Sequence, residues 1–169
     1  MSTRNATAEI ELLLALLDEA YAQPAWHGPN LRGALRGLSA EQAAWRPDRG
    51  RNSIWEIALH CAYWKYAVHR RLSGEGRRGS FPRKPSNWPA LPVRLGAASW
   101  KADLALLDEQ HGRLREGVVA YPAQRLGRRL GKSTAVRLIY GIAAHDLYHA
   151  GQVRLLIKLS GGKRPGKRS

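Results

Sequence analysis

Apolar side chains at Ile10, Leu13, Leu14, Leu17 and Tyr21 recur in steps of three and four, the spacing of a helix that buries one face. Pro24 and the HGPN that follows end this first helix. The connecting stretch LRGLSAEQAAWRPDRGRN predicts at most a short helical turn after Ser39, because Gln42 completes a capping-box pattern with it. Ser53 and Glu56 repeat that pattern directly before IALHCAYWKYAVHRRL, so a second helix starts there and stops near residue 72 at SGEG. GEGRRGSFPRKPSNWPALPVRLG carries four prolines and no sustained period, which predicts a long loop and not a strand. Extended chain covers about 3.3 Å per residue and a 20-residue helix is only about 30 Å long, so this loop can cross a bundle from end to end. A third helix is predicted from about Ser99 to Tyr121 and Pro122. A fourth follows the basic connection RLGRRLGK, starting at Ser133 or Thr134 and ending before Gly161 and Gly162. With no repeats, no alternating strand pattern and no long heptads, the expected fold is an all-α four-helix bundle.

Composition narrows the class. The chain has 169 residues, 44% hydrophobic and 24% charged, enough for a single core and against wholesale disorder. One domain is expected over residues 1–160, with 161–169 as a basic disordered tail. The N-terminal leucines are interrupted by Glu9, Glu11, Asp18 and Glu19, unlike a signal peptide. No apolar run approaches the roughly 18 to 20 residues that span a bilayer, so no membrane role is expected. A single cysteine, Cys61, cannot form an internal disulfide, and a cytoplasmic setting is the expectation. Lys and Arg total 28 against 13 Asp and Glu, a formal charge of +15, which keeps nucleic acid open as a partner. The arginine pairs at 70/71, 77/78 and 128/129 and the tail GGKRPGKRS suggest a generally basic surface more than a groove.

Candidate chemistry centres on HDLYHAG in the fourth helix. On a wheel of about 100° per residue, Leu138, Gly141, Ile142, His145, His149, Gln152 and Leu156 form one stripe. The two histidines, four residues apart, stand about 5 to 6 Å apart at Cβ and can reach one ion from the same side. On the second helix, His60 shares a stripe with Ile57, Trp64 and Ala67. Three imidazoles from two helices would make an open metal site; the same pattern also fits hydrogen-bonded core histidines.

The other candidates are weaker. A zinc-protease helix needs glutamate after the first histidine, and Asp146 stands there, one methylene shorter and about 100° off the histidine face. Asp146 therefore reads as a solvated or supporting group. Glu56 could support the His60 ring from behind, although the capping box already accounts for it. His27 and His69 are not assigned, and His111 is a spare ligand if it turns inward. Cys61 points about 100° from His60 and reads as a buried inert thiol. Trp55, Trp64 and Trp100 have core spacing, and Trp88 is expected to pack the long loop onto the bundle.

SIWEIALHCAYWKYAVHRRL, then FPRKPSNWPALP followed by SWKADLALLDEQH, then LIYGIAAHDLYHAGQVRLLIK stand in an order and spacing that resembles the DinB-like (damage-inducible) metal-binding four-helix bundles. The resemblance runs from the first helix to Lys158. It implies an up-down-down-up bundle with the long loop as the crossover between helices 2 and 3. It also implies a divalent ion on His60, His145 and His149; three imidazoles suit zinc, nickel, copper or iron, with zinc, nickel or iron expected. Members are often homodimers, and some use a low-molecular-weight thiol in transferase or isomerase reactions. The expectation is thus a metal-dependent transferase or hydrolase acting on a small-molecule substrate, with Gln152 a candidate to orient what fills the open position and no catalytic acid or base assigned. The alternative is a basic binding protein, for nucleic acid, in which the histidine site is structural. The chain departs from the family pattern mainly in its high positive charge and basic tail.

Overall fold

The computed structural model describes residues 3–74 and 80–161, with side chains from residue 7. In chain order the elements are α1 (Thr3–Tyr21), α2 (Leu31–Leu35), α3 (Ala40–Ala44), α4 (Ile54–Ser73), α5 (Ala97–Val119), a 3-10 turn (Ala123–Arg125), β1 (Arg129–Leu130), β2 (Ser133–Thr134) and α6 (Ala135–Leu159). The fold is all-α, with the four predicted helices as its long elements. Both capping boxes form: Ser39 and Gln42 open α3, and Ser53 and Glu56 open α4. Thr134 caps α6 through the Arg137 amide, and Gly74 closes α4 with φ +70, a left-handed turn that suits glycine.

The shorter elements include a helix and a hairpin that were not expected. The one-turn helix α2 is capped by Asn30, whose side chain accepts from the Gly33 amide. The connection RLGRRLGK contains a two-stranded antiparallel hairpin pairing Arg129 with Thr134 and Leu130 with Ser133. Its two-residue strands are too short for any alternation to register in the sequence, and Gly131 supplies the positive φ of the turn.

Helix α4 packs on α5 and α6, and α1 packs on the same two helices. At one end of α4, the Trp55 indole donates to Asp103 of α5. Near the other end, the His69 ring lies 2.9 Å from where a Cβ on Gly117 would stand, so glycine allows that close approach. Between α1 and α5, Asp18 meets Arg115 and the Tyr21 hydroxyl donates to Asp108. The core divides into two sets. One gathers α2, α3 and the first half of α4 with Ala150–Ile157 of α6, and the other gathers α1, Val68, Leu72 and Leu114 with Ala135–Ala143.

The stretch from Ser80 to Gly96 has no regular structure, as expected, and it lies down on the bundle through Phe81, buried in the first set, and Trp88 packed against it. Arg83 ties it to Asp103 at 2.7 Å. Of the tail expected over 161–169, residues 162–169 lie outside the described residues, and so do Arg77 and Arg78. Among the described residues no helix is long and apolar enough to cross a membrane.

Candidate metal centre

Helix α4 carries His60 one turn beyond Glu56, and α6 carries His145 and His149 on successive turns. The packing of α4 on α6 brings the three rings together: Nε2 of His145 lies 3.1 Å from Nε2 of His60 and 3.2 Å from Nε2 of His149. Two of the outward nitrogens are fixed. His60 donates its Nδ1 proton to the Asn87 carbonyl at 2.6 Å, and His149 donates its own to Gln152 Oε1 at 2.7 Å. With those protons outside, the Nε2 atoms of His60 and His149 present lone pairs to each other and to His145. A proton on His145 Nε2 could satisfy only one of them; a shared cation satisfies all three. Nitrogens around a tetrahedral ion with arms of about 2.0–2.1 Å stand about 3.3 Å apart, close to the separations found here, so the residues fit a divalent metal.

Electrostatics agree. Burial pushes His145 down to about 3, with the His149 and His60 rings acting the same way. Burial lowers His149 to about 4 against the opposing bond to Gln152, and it lowers His60 against the Asn87 carbonyl. All three are neutral near pH 7, the form in which imidazole binds metal.

The loop finishes the site. Asn87 has φ 70, a left-handed conformation that asparagine tolerates better than most residues, and this turns its carbonyl onto His60 while its side chain accepts from the Trp64 indole at 2.9 Å. Trp88 stacks on the His60 ring with centroids 3.8 Å apart. The three histidines open into a cavity of about 720 Å³, with Ile57, Leu155, Leu156 and Leu159 forming an apolar wall and Asp48, Arg51 and Asn52 a polar rim. Tyr148 lines the same cavity, and its hydroxyl oxygen accepts from Gln152 Nε2.

The remaining candidates sort out clearly. Glu56 serves the capping box and pairs with Arg46 at 2.6 Å, so the support for His60 comes from Asn87 instead. Cys61 is buried, and burial pushes its thiol well up. His111 does turn inward, but it stacks on Tyr21 at 3.8 Å, away from the three-histidine cluster. His27 is exposed.

Of the two readings of Asp146, solvated or supporting, burial removes the first. The residue is 0% exposed and bonded to Lys65, itself 0% exposed. The buried face of α6 runs through Ile139, Ile142, Ala143, Asp146, Ala150 and Val153, which puts Asp146 on the midline and the histidines at its edge. Burial raises the Asp146 carboxyl and the Lys65 ammonium pulls it back. Lys65 went unnoticed because lysine normally faces solvent; the available signal was its place in the stripe Ala58, Cys61, Ala62, Lys65, Val68 and Leu72. Gln152, expected to orient what fills the open position, instead accepts the Nδ1 proton of the His149 ring.

A family model described as the DinB superfamily matches residues 23–153. No curated protein and no solved structure matches the chain.

Proposed function

Because the chain belongs to the DinB superfamily, whose members bind metal, we propose that it is a metal-dependent enzyme, a transferase or hydrolase of a small molecule. A divalent ion, zinc, nickel or iron, is held by His60, His145 and His149. The observation that carries this reading is the convergence of three Nε2 atoms, 3.1 and 3.2 Å apart, at the wall of a cavity of about 720 Å³. Such an ion supplies Lewis acidity, which brings the pKa of a bound water or thiol toward neutrality. The chain does the rest. Asn87 and Gln152 keep the protons of His60 and His149 on their outer nitrogens, and Trp88 holds the His60 ring by stacking. Ile57, Leu155 and Leu156 receive the apolar part of a substrate, and Asp48, Arg51 and Asn52 its polar end. Tyr148 accepts from Gln152 and keeps its own proton to donate into the cavity.

Elemental mass spectrometry of tag-free protein purified without added metal tests this. About one ion per chain is expected, retained in His111→Ala and lost in His60→Ala and His149→Ala. A binding free energy of about 10–16 kcal/mol shared among the three ligands makes each worth roughly 300- to 8000-fold in affinity. A folded protein that takes up neither zinc nor nickel overturns the reading. An added thiol or azide perturbing the spectrum of the cobalt-loaded protein supports an open position.

We also propose the up-down-down-up path with the crossover ahead of α5. Trp55 meets Asp103 near the starts of α4 and α5 and His69 meets Gly117 near their ends, which supports parallel helices.

A second reading, polyanion binding, is favoured by one observation. Arg71, Lys132 and Arg137 line one cavity of about 740 Å³ beside the hairpin with no acidic residue among its lining. Nucleic-acid binding there falls steeply between low and moderate salt and weakens in Arg71→Glu; salt-independent binding overturns it.

A further inference from the structure

Beside the three histidines, two buried polar atoms have no protein partner: Nδ1 of His145 and Oδ1 of Asp146. His60 and His149 each place their Nδ1 proton on a protein oxygen, so His145 is the odd member of the three. A His145 ring nitrogen, an Asp146 carboxylate oxygen and the Cys61 sulfur lie within 4.8 Å of one another. Two hydrogen bonds of about 2.8 Å meeting at one water span such a gap where a direct bond does not.

We propose that Asp146 is a positioning residue for His145: its Oδ1 accepts the His145 Nδ1 proton through one buried water, while Lys65 anchors its other oxygen. Cys61 is the third, weaker contact of that water, which matches the two to four polar partners a buried water takes. The carboxylate cannot swing to another partner. It is 0% exposed and bonded to Lys65, whose ammonium in turn sits 4.7 Å over the Tyr21 ring. The consequence is chemical. Holding the proton on Nδ1 leaves the His145 Nε2 lone pair facing those of His60 and His149, so all three rings share one tautomer. A carboxylate behind a metal-binding imidazole also raises its basicity and fixes its orientation. A second cation at the same three atoms is disfavoured because the Lys65 ammonium already occupies the carboxylate.

This inference rests on the metal reading only for its effect on metal affinity; the tautomer itself is read without metal. The test uses the full chain, with Lys65→Met/Asp146→Leu removing the link and Lys65→Met/Asp146→Asn keeping an acceptor oxygen. Replacing a buried ion pair by apolar residues of similar volume usually preserves the fold. Long-range proton–nitrogen NMR of the metal-free protein should show His145 protonated at Nδ1 in the wild type and a mixture in Lys65→Met/Asp146→Leu. Zinc affinity, by competition with a chromophoric chelator, should fall about 10- to 100-fold in that variant. The Asn variant should recover the tautomer and most of the affinity. A wild-type His145 protonated at Nε2 overturns the proposal, whatever the variants do. So does a Leu variant that melts differently but keeps the wild-type tautomer and affinity, which would make the pair purely structural. Two zinc ions per chain, the second lost in Cys61→Ser, would place a metal where the water is proposed. A wild type that binds neither zinc nor nickel sinks the proposed function, and the tautomer still decides this inference.

Discussion

His145 and His111 are both driven to about 3, and in both the first cause is burial. Yet His145 faces two other imidazoles across 3.1 and 3.2 Å, whereas His111 lies flat on Tyr21 with its Nε2 3.9 Å from Asp18. Around His111 the polar groups are complementary: the Tyr21 hydroxyl donates to Asp108, which also binds Arg32, and Asp18 binds Arg115. Around His145 they are alike: three imidazole nitrogens converge, and those of His60 and His149 both present lone pairs because their protons are held on the outer nitrogens. A depressed histidine therefore marks burial, and convergence of like acceptors marks a cation site. Both regions also touch Lys65, whose charge pushes His111 and His145 down.

The largest expected effect follows from that shared residue. Lys65→Met leaves the Asp146 carboxylate buried and unpaired, which costs about 3–5 kcal/mol, read as a lower urea midpoint. Lys65→Met/Asp146→Leu should recover most of it. If the single variant is as stable as the wild type, Lys65 does not link the two regions and their separate treatment is right.

Acid separates them next. His111, His145 and His149 take a proton in the folded chain only near 3 to 4, but near 6.5 when unfolded. Between those values the unfolded state holds more protons, so stability rises with pH there and is lost as pH falls from about 6.5 toward 4. His111→Gln should flatten this dependence in urea titrations at pH 5 and 7 with or without zinc. Zinc should steepen it in the wild type and in His111→Gln, because protons displace the ion, and leave His149→Ala unchanged. Zinc steepening His149→Ala as well would mean that the ion binds elsewhere.

What the sequence disclosed and what it hid divide along the same physical line. Capping boxes and three-and-four spacing act within one helix, so α1, α4, α5 and α6 were readable, and so were the faces that carry His60, His145 and His149. The assignment of those three as a set needed the family resemblance as well, since spacing alone also fitted core histidines. Lys65 and its pairing with Asp146 were missed because lysine normally faces solvent and the two residues stand 81 positions apart on different helices, which no periodicity encodes. Asn87 was hidden for another reason: its contact uses a backbone carbonyl, to which the side chain is indifferent.

That indifference yields the smallest and most discriminating change. Asn87 serves the metal centre through its carbonyl and Trp64 through its side chain. Asn87→Gly keeps the carbonyl and accepts φ 70 without strain, losing only the bond to Trp64. Zinc affinity should stay within about threefold, with stability lower by about 0.5–1.5 kcal/mol. Asn87→Val puts a β-branched residue in the left-handed region, costs about 1–2 kcal/mol, and draws the carbonyl off His60, so zinc affinity should fall further than in the glycine variant. Equal losses in the two variants would show that the Asn87 side chain, by holding Trp64, positions His60, and that the loop's backbone is incidental to the centre.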